Sequence, residues 1–307
     1  MLIQSNTNSI ERIPTSITKV LFETIKFGII KSNLIAMIAG LSMALYVHNL
    51  SFFDKIGNIV LALIGSALVI GAAGIFNNLY DRDIDAIMER TKNRPTVSGI
   101  VDVGSGLIMG IWIAAGGLVA LYISSPLSAY CGFLGLFLYV VPYTMWTKRR
   151  TIYNTEVGSL SGAMPPLIGW AAISPDILHP GAIALFLLMV IWQMPHFYAI
   201  GIRRMEEYRA ANIPMLPVVK GIRRTYVQMN VYLVALFLCS FLFWSFNPFI
   251  AAANALLSLG WLILSIDGYR RKPEDKWARS MFIFSLNHIT VLLLMIVGYS
   301  LGAPLLH

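Results

Sequence analysis

The sequence predicts an all-α integral membrane protein of about nine transmembrane helices in one bundle, with its N-terminus on the cytoplasmic side. Three observations predict it. Of 307 residues, 57% are hydrophobic and 12% charged, and the mean hydropathy is +0.70; such a chain is not disordered, collagen-like or a soluble nucleic-acid-binding module. Apolar runs long enough to cross a bilayer recur from one end to the other. The basic residues gather in alternate loops.

Residues 1–24 form a polar N-terminal segment. Its first twenty residues have no uninterrupted apolar core followed by a small-residue cleavage site, which argues against a cleavable secretory signal, and the two acids and few arginines before the first span are unlike a mitochondrial leader. Spans are then expected over 25–47, 58–76, 103–123 and 127–145, and, in the second half, over 157–173, 182–199, 226–246, 249–266 and 280–301. Ser124, Ser125 and Pro126, and later Asn247 and Pro248, supply turn chemistry for two tight hairpins. Cys131 and Cys239 stand alone inside apolar runs and read as buried small hydrophobes, not as a disulfide or metal pair.

Orientation follows from the cations. Arg12, Lys19, Lys26 and Lys31 precede or open the first span, and the others fall after spans two, four, six and eight, so that 22 of the 23 Lys and Arg lie on one side and Lys55 alone on the other. The positive-inside rule makes that side the cytoplasm. The formal charge of +8 is therefore first a record of topology.

Topology gives no reason for carboxylates to collect beside those cations at a helix end. The second span ends in Asn77, Asp81 and Asp85, spaced by four. Each step of four drifts only about 40° around a helix, so one amide and two carboxylates line a single face, while Asp83 points elsewhere. Two like charges stacked at this spacing repel unless a cation sits between them. Hard oxygen ligands with coordination positions left for water and phosphate suit Mg²⁺. Arg90, Lys92 and Arg94, stopped by Pro95, follow within one short segment and offer phosphate-binding cations. A metal ion and bases together point to a diphosphate; the plainer alternative is a solvated helix end whose acids and bases pair with one another.

The sixth span leaves through Trp192, Gln193, Met194, Pro195, His196, Phe197 and Tyr198, then Arg203, Arg204, Glu206, Glu207 and Tyr208. A proline in an apolar span is expected to kink it and is tolerated where the helix lines a protein cavity, and polar groups at membrane depth are functional by default. His196 is either such a group or a packing histidine. Asn287 and His288, with no charged cluster beside them, read as packing.

These residues resemble the UbiA-type intramembrane aromatic prenyltransferases, whose first motif NxxxDxxxD is matched by Asn77, Asp81 and Asp85. Within that family the haem-farnesylating branch fits best. Asp81 to Asp85 with Arg90, Thr91, Lys92, Asn93, Arg94 and Pro95 resembles its first block, and Trp192 to Phe197 its second. Tyr143, Thr144, Lys148, Arg149, Gly162, Pro165, Pro166 and Trp170 follow its pattern between them. Glu207 stands where the second acidic block commonly has Asp.

The resemblance implies a prenyltransferase domain over 25–307, enclosing a lipid-accessible cavity that two polar loops close on the cytoplasmic side. It implies transfer of a farnesyl group from farnesyl diphosphate to a vinyl group of haem B, with addition of water, giving haem O for haem-copper oxidase assembly in a bacterial cytoplasmic membrane. Asn77, Asp81, Asp85 and Glu207 would hold Mg²⁺ and carry catalysis; Arg90, Lys92, Arg94 and Lys148 would take the diphosphate. His196, Tyr143, Trp192 and Tyr198 would face the acceptor or the allylic cation, and His196 would orient water, contact a propionate or ligate iron. Membrane lipid is an expected partner and nucleic acid is not. The rival readings are another aromatic acceptor, such as a hydroxybenzoate or quinone precursor, and, from another class, a secondary transporter or non-catalytic haem-binding protein. Transporters place coupling groups near the midplane, whereas these carboxylates sit at one helix-end surface.

Overall fold

The structure, a computed structural model, describes residues 16–303; the expected polar segment is therefore seen only from Ser16, and its earlier part, with Arg12, lies outside the described residues, as does His307. The described residues are all-α. Eight helices are long and apolar enough to cross a membrane. They are α2 (Phe27–Val47), α3 (Ile56–Tyr80), α5 (Val103–Ser124), α6 (Pro126–Leu138) continued by a π-helix (Tyr139–Thr147), α9 (Pro180–Arg203), α11 (Leu216–Cys239) with a 3-10 turn (Ser240–Phe243), α12 (Pro248–Arg271) and α13 (Glu274–Gly302). Short helices complete the chain: α1 (Ile17–Thr24) before the first span, α4 (Arg82–Ile87) and α10 (Met205–Ala210) in the two polar loops, and the pair α7 (Asn154–Gly162) and α8 (Met164–Ile173).

That pair corrects the expected fifth span. The chain breaks at Ala163, ahead of Pro165 and Pro166 in the first turn of α8. Proline supplies no amide hydrogen to the preceding turn and is tolerated only in the first turn of a helix, so the helix restarts instead of running through. The restart lets α8 press onto α2: a Cβ on Gly40 would lie 2.0 Å from the Pro166 carbonyl oxygen, and one on Gly169 2.1 Å from that of Met37. Small residues also bring α3 and α5 together, where a Cβ on Gly65 would meet the Gly117 carbonyl at 2.8 Å. In lipid, where apolar burial between helices gains little, such backbone approach is the main source of packing energy.

Both expected hairpins form. Ser125 alone joins α5 to α6, and the Asn247 side chain accepts from the Ile250 amide at 3.0 Å to cap α12. α9 continues as one helix through Pro195. Cys131 and Cys239 are buried free thiols. The core joins Trp170, Trp261, Trp277, Leu185, Leu188 and Met37 from five helices. A groove of about 510 Å³ between α5 and α6, bounded by Tyr122, Tyr130 and Phe133, lies at the hairpin end of that pair.

Candidate active site

α3 stops at Tyr80 and α4 starts at Arg82, yet the helical bonding carries across the junction: the Asp81 amide donates to the Asn77 carbonyl at 2.9 Å and the Asp85 amide to that of Asp81 at 2.8 Å. The spacing of four therefore survives, and Asn77, Asp81 and Asp85 are all buried. Buried carboxylates need partners, and each has a cation. Lys148 Nζ donates to Asp81 Oδ2, while Arg94 Nη1 reaches Asp85 Oδ2 at 2.5 Å. Arg149 lies 3.4 Å from Asp81 Oδ1 and grips both oxygens of Asp83 at 2.7 Å. The Asn77 amide donates to Asp81 at 2.8 Å and to Thr144 Oγ1 at 3.0 Å, and its carbonyl oxygen accepts from Lys26.

Lys26 was counted in the sequence only as a topogenic charge. It joins α1 to α2 in a left-handed conformation, φ 56°, and the junction is pinned to α3 by Asn78, whose amide donates to the Thr24 carbonyl at 2.9 Å. Burial, with Arg94 and Lys148 nearby, pushes the Lys26 ammonium well below the usual lysine value in spite of Asp81 and Asp85. Lys26 on Asn77, Lys148 on Asp81, Arg94 on Asp85 and Arg149 on Asp81 and Asp83 thus converge on one row.

The π-helix sets the facing wall. It carries Pro142, and it brings Tyr143 against Gly158 of α7, where a Cβ would lie 2.9 Å from the ring, while Thr144 meets Asn77. Tyr139 and Tyr143 lie within electrostatic reach of Asp81, and Tyr143 also of Tyr208. Single stretches of π-helix recur at functional sites because they re-aim side chains.

The second polar loop closes over the first through a small apolar cluster of Ile84, Met88, Ala211, Ile213 and Met215, with Tyr208 packed against it. Glu207 accepts from Arg204 at 2.5 Å through Oε1, while its Oε2 is buried without a partner. Among the described residues no three His, Cys, Asp or Glu side chains gather closely enough to hold a metal ion by themselves. The donors that are present, two carboxylates and an amide oxygen already receiving cations and one orphaned carboxylate oxygen, are the hard set that Mg²⁺ takes when substrate phosphates and water complete its shell.

Of the other expected residues, Arg94 and Lys148 stand on the acidic row. Arg90 and Lys92 are exposed, Lys92 pairing with Glu89 at 2.7 Å. His196 is buried, stacked on Trp192 with centroids 4.8 Å apart, and its Nδ1 is 2.7 Å from Ser285 Oγ. The Trp192 indole donates to the Ser285 carbonyl at 3.1 Å. Tyr198 is fully buried and donates to Glu156 at 2.6 Å, within a polar group completed by Gln228. Gln193 donates to the Ser159 and Met189 carbonyls, joining α9 to α7. His288, held 3.2 Å from Ser258, is a packing residue between α12 and α13. Lys26, Glu156 and Ser285 carried no site role in the sequence, while Thr144 and Arg149 stood there only as part of the family's pattern, beside Tyr143 and Lys148.

The model of the UbiA prenyltransferase family matches residues 33–287. A protein of Shouchella clausii (strain KSM-K16) named "Protoheme IX farnesyltransferase" is 61% identical over 288 residues, 94% of this chain and 93% of that one. Another, of Bacillus cytotoxicus and named "Protoheme IX farnesyltransferase 1", is 61% identical over 92% of this chain and 93% of its own. Among solved structures, a UbiA homolog from Archaeoglobus fulgidus bound to DMAPP and Mg²⁺ superposes with a TM-score of 0.69 at 14% identity, covering 91% of this chain and 99% of that one; it shares the fold.

Proposed function

The chain belongs to the UbiA prenyltransferase family, and we infer that it transfers a farnesyl group from farnesyl diphosphate to a vinyl group of haem B, adds water, and releases haem O and diphosphate. The observation that carries this reading is the buried row of Asn77, Asp81 and Asp85 beneath Arg94 and Lys148, in a chain 61% identical over 94% of its length to a protein named for that reaction.

In this reading Asn77, Asp81, Asp85 and Glu207 hold Mg²⁺, which, when bound, neutralises diphosphate oxygens and makes the group easier to expel. Arg94 and Lys148 take the charge that develops on the departing diphosphate, with Arg90 and Lys92 at the mouth. Heterolysis of the C–O bond leaves an allylic cation facing the Tyr143 wall, where each well-placed ring contributes about 0.5 to 2 kcal/mol. The terminal vinyl carbon forms the new C–C bond, the inner vinyl carbon becomes cationic, and water captures it and releases a proton. Trp192 and His196 flank the acceptor, Ser285 fixing the imidazole through Nδ1; Tyr198 supports that wall through Glu156.

We read α7 and α8 as one broken span, which with the eight long helices makes nine and places the N-terminus in the cytoplasm of a bacterial inner membrane. The product is then available to a haem-copper oxidase. Mass spectrometry of haem after incubation of purified protein with haem B, farnesyl diphosphate and Mg²⁺, beside a reaction with EDTA, tests the assignment. A farnesyl-plus-water mass gain abolished by chelation is expected. A prenylated quinone precursor with haem unchanged would overturn the acceptor, and no prenyl transfer to anything would overturn the enzyme.

A further inference from the structure

A second polar feature opens at the same end of the bundle, beside the carboxylate row. It is a crevice of about 320 Å³ lined by Ile152, Tyr153, Leu216, Lys220, Arg224 and Gln228. Two of these are cations spaced by four on α11, and the acids of the adjoining loop are already taken, Glu207 by Arg204 and Glu206 by Arg209. Gly221 stands between them at φ 78° and ψ 170°, a backbone conformation open essentially to glycine alone, and there α11 bends. The bend leaves Lys220 and Arg224 on one wall of the crevice. Tyr153, Ile152 and Leu216 supply an aromatic and apolar remainder.

Short stretches of α7 and of the second polar loop connect the crevice to the reaction site. At its floor Gln228 donates to Glu156 Oε1 at 3.0 Å, an oxygen that Tyr198 also engages, so this acid is held inward and not by the cations above it. Two residues along α7, Gly158 abuts the Tyr143 ring, and the neighbouring Thr144 accepts from Asn77. On the other side Leu216 directly follows Met215, which with Ile213 packs against Ile84 and Met88 of the first loop.

We propose that this crevice is the carboxylate subsite of the acceptor, in which Lys220 and Arg224 pair with the propionates of haem B. The proposal rests on the haem reading above. Protohaem carries its vinyl groups and its two propionates on opposite edges, so a macrocycle with a vinyl at the diphosphate site extends its carboxylates away from Asp81 and Asp85. A crevice with two available cations, an aromatic rim and a short path to the Tyr143 wall matches that requirement. Charge-assisted bonds from Arg and Lys are strong and directional. Anchoring the propionates also decides which vinyl group reaches the allylic cation, a choice that a uniformly apolar cavity makes poorly.

The test compares haem B with its dimethyl ester, in which both propionates are neutral, for wild-type protein and for Lys220→Met, Lys220→Arg and Arg224→Met. Binding is titrated optically without diphosphate in neutral phosphatidylcholine nanodiscs, and turnover is followed separately. Expected are about tenfold weaker binding of haem B in each Met variant, restoration by Lys220→Arg, and ester binding that is weak in wild type and unchanged by substitution. In turnover, KM for haem B rises while kcat and KM for farnesyl diphosphate hold. Equal haem B affinity in all variants, or an ester bound as tightly as the free acid, would overturn the subsite. A defect seen only when phosphatidylglycerol is added would assign the cations to a lipid headgroup and overturn it too. Wild-type protein that binds haem B, rejects the ester and transfers no farnesyl would support the subsite and sink the transferase reading instead.

Discussion

Asp81 is fully buried between Lys148, Arg149 and the Asn77 amide, so changing its charge alters both the fold's electrostatics and its chemistry. Asp81→Asn keeps the shape but leaves Lys148 short of a counter-charge, and Asp85→Asn does the same to Arg94. Each variant should lose on the order of 10²-fold or more in kcat, with a helical circular-dichroism spectrum retained; full prenyl transfer by folded variants would remove the metal-diphosphate role. Asp83 differs. It is 61% exposed, and Arg149 holds its carboxyl below the usual carboxylate value. A lowered pKa in the folded protein stabilises it above the ordinary carboxylate pKa, and that contribution is lost as pH falls through the lowered one. Solvent screening keeps it under about 1 kcal/mol. Thermal unfolding of Asp83→Asn should therefore trail wild type slightly at pH 7 and converge with it in acid; a gap that widens in acid would refute the pairing. The row Asn77, Asp81, Asp85 was legible because its geometry is local, a spacing of four on one helix. Lys26 and Arg149 reach it across long sequence separations, which no spacing along the chain reveals.

At the scale of elements, apolar length located the eight long helices, because the bilayer imposes one thickness on all of them. Hydropathy is blind to how the backbone bonds inside such a run. It therefore gave 157–173 as one span, although Pro165 and Pro166 were in plain view, and it carried no sign of the π-helix Tyr139–Thr147 beyond Pro142. The π-helix adjoins the carboxylate row, where a straight helix would leave Thr144 and Tyr143 differently aimed. The break at Ala163 depends on its neighbour: a Cβ on Gly162 would lie 2.0 Å from Gln193 Oε1. Gly162→Ala must therefore expel the Gln193 side chain from its bonds to the Ser159 and Met189 carbonyls. Overpacking of this kind costs about 1–3 kcal/mol, so a lowered Tm in detergent is expected, with partial recovery in Gly162→Ala/Gln193→Ala. An unchanged Tm for the single variant would mean that α7 and α9 are not held together there.

For the whole molecule, the two polar loops meet through only a small apolar cluster, Ile84 and Met88 against Ala211, Ile213 and Met215, while the acids that both loops contribute are separately paired, Asp85 with Arg94 and Glu207 with Arg204. The loops are thus joined by packing and are ready to be joined by charge. On the proposed reading, a diphosphate with its divalent ions would supply that second connection, taking positive partners from the first loop and carboxylates from both. Binding that requires both loops stabilises only the folded bundle, so it should raise Tm in proportion to ligand. At a concentration of about 100 Kd, farnesyl diphosphate with Mg²⁺ should add about 2.7 kcal/mol. EDTA should remove most of that gain, and Glu207→Gln should reduce it without changing the Tm of the free protein by more than a degree or two, because the amide keeps an oxygen for the exposed Arg204, a surface pair worth little, and Oε2 has no partner to lose. Protection that survives chelation would leave the cations as the whole of the diphosphate site, and equal protection in Glu207→Gln would confine the metal to the first loop.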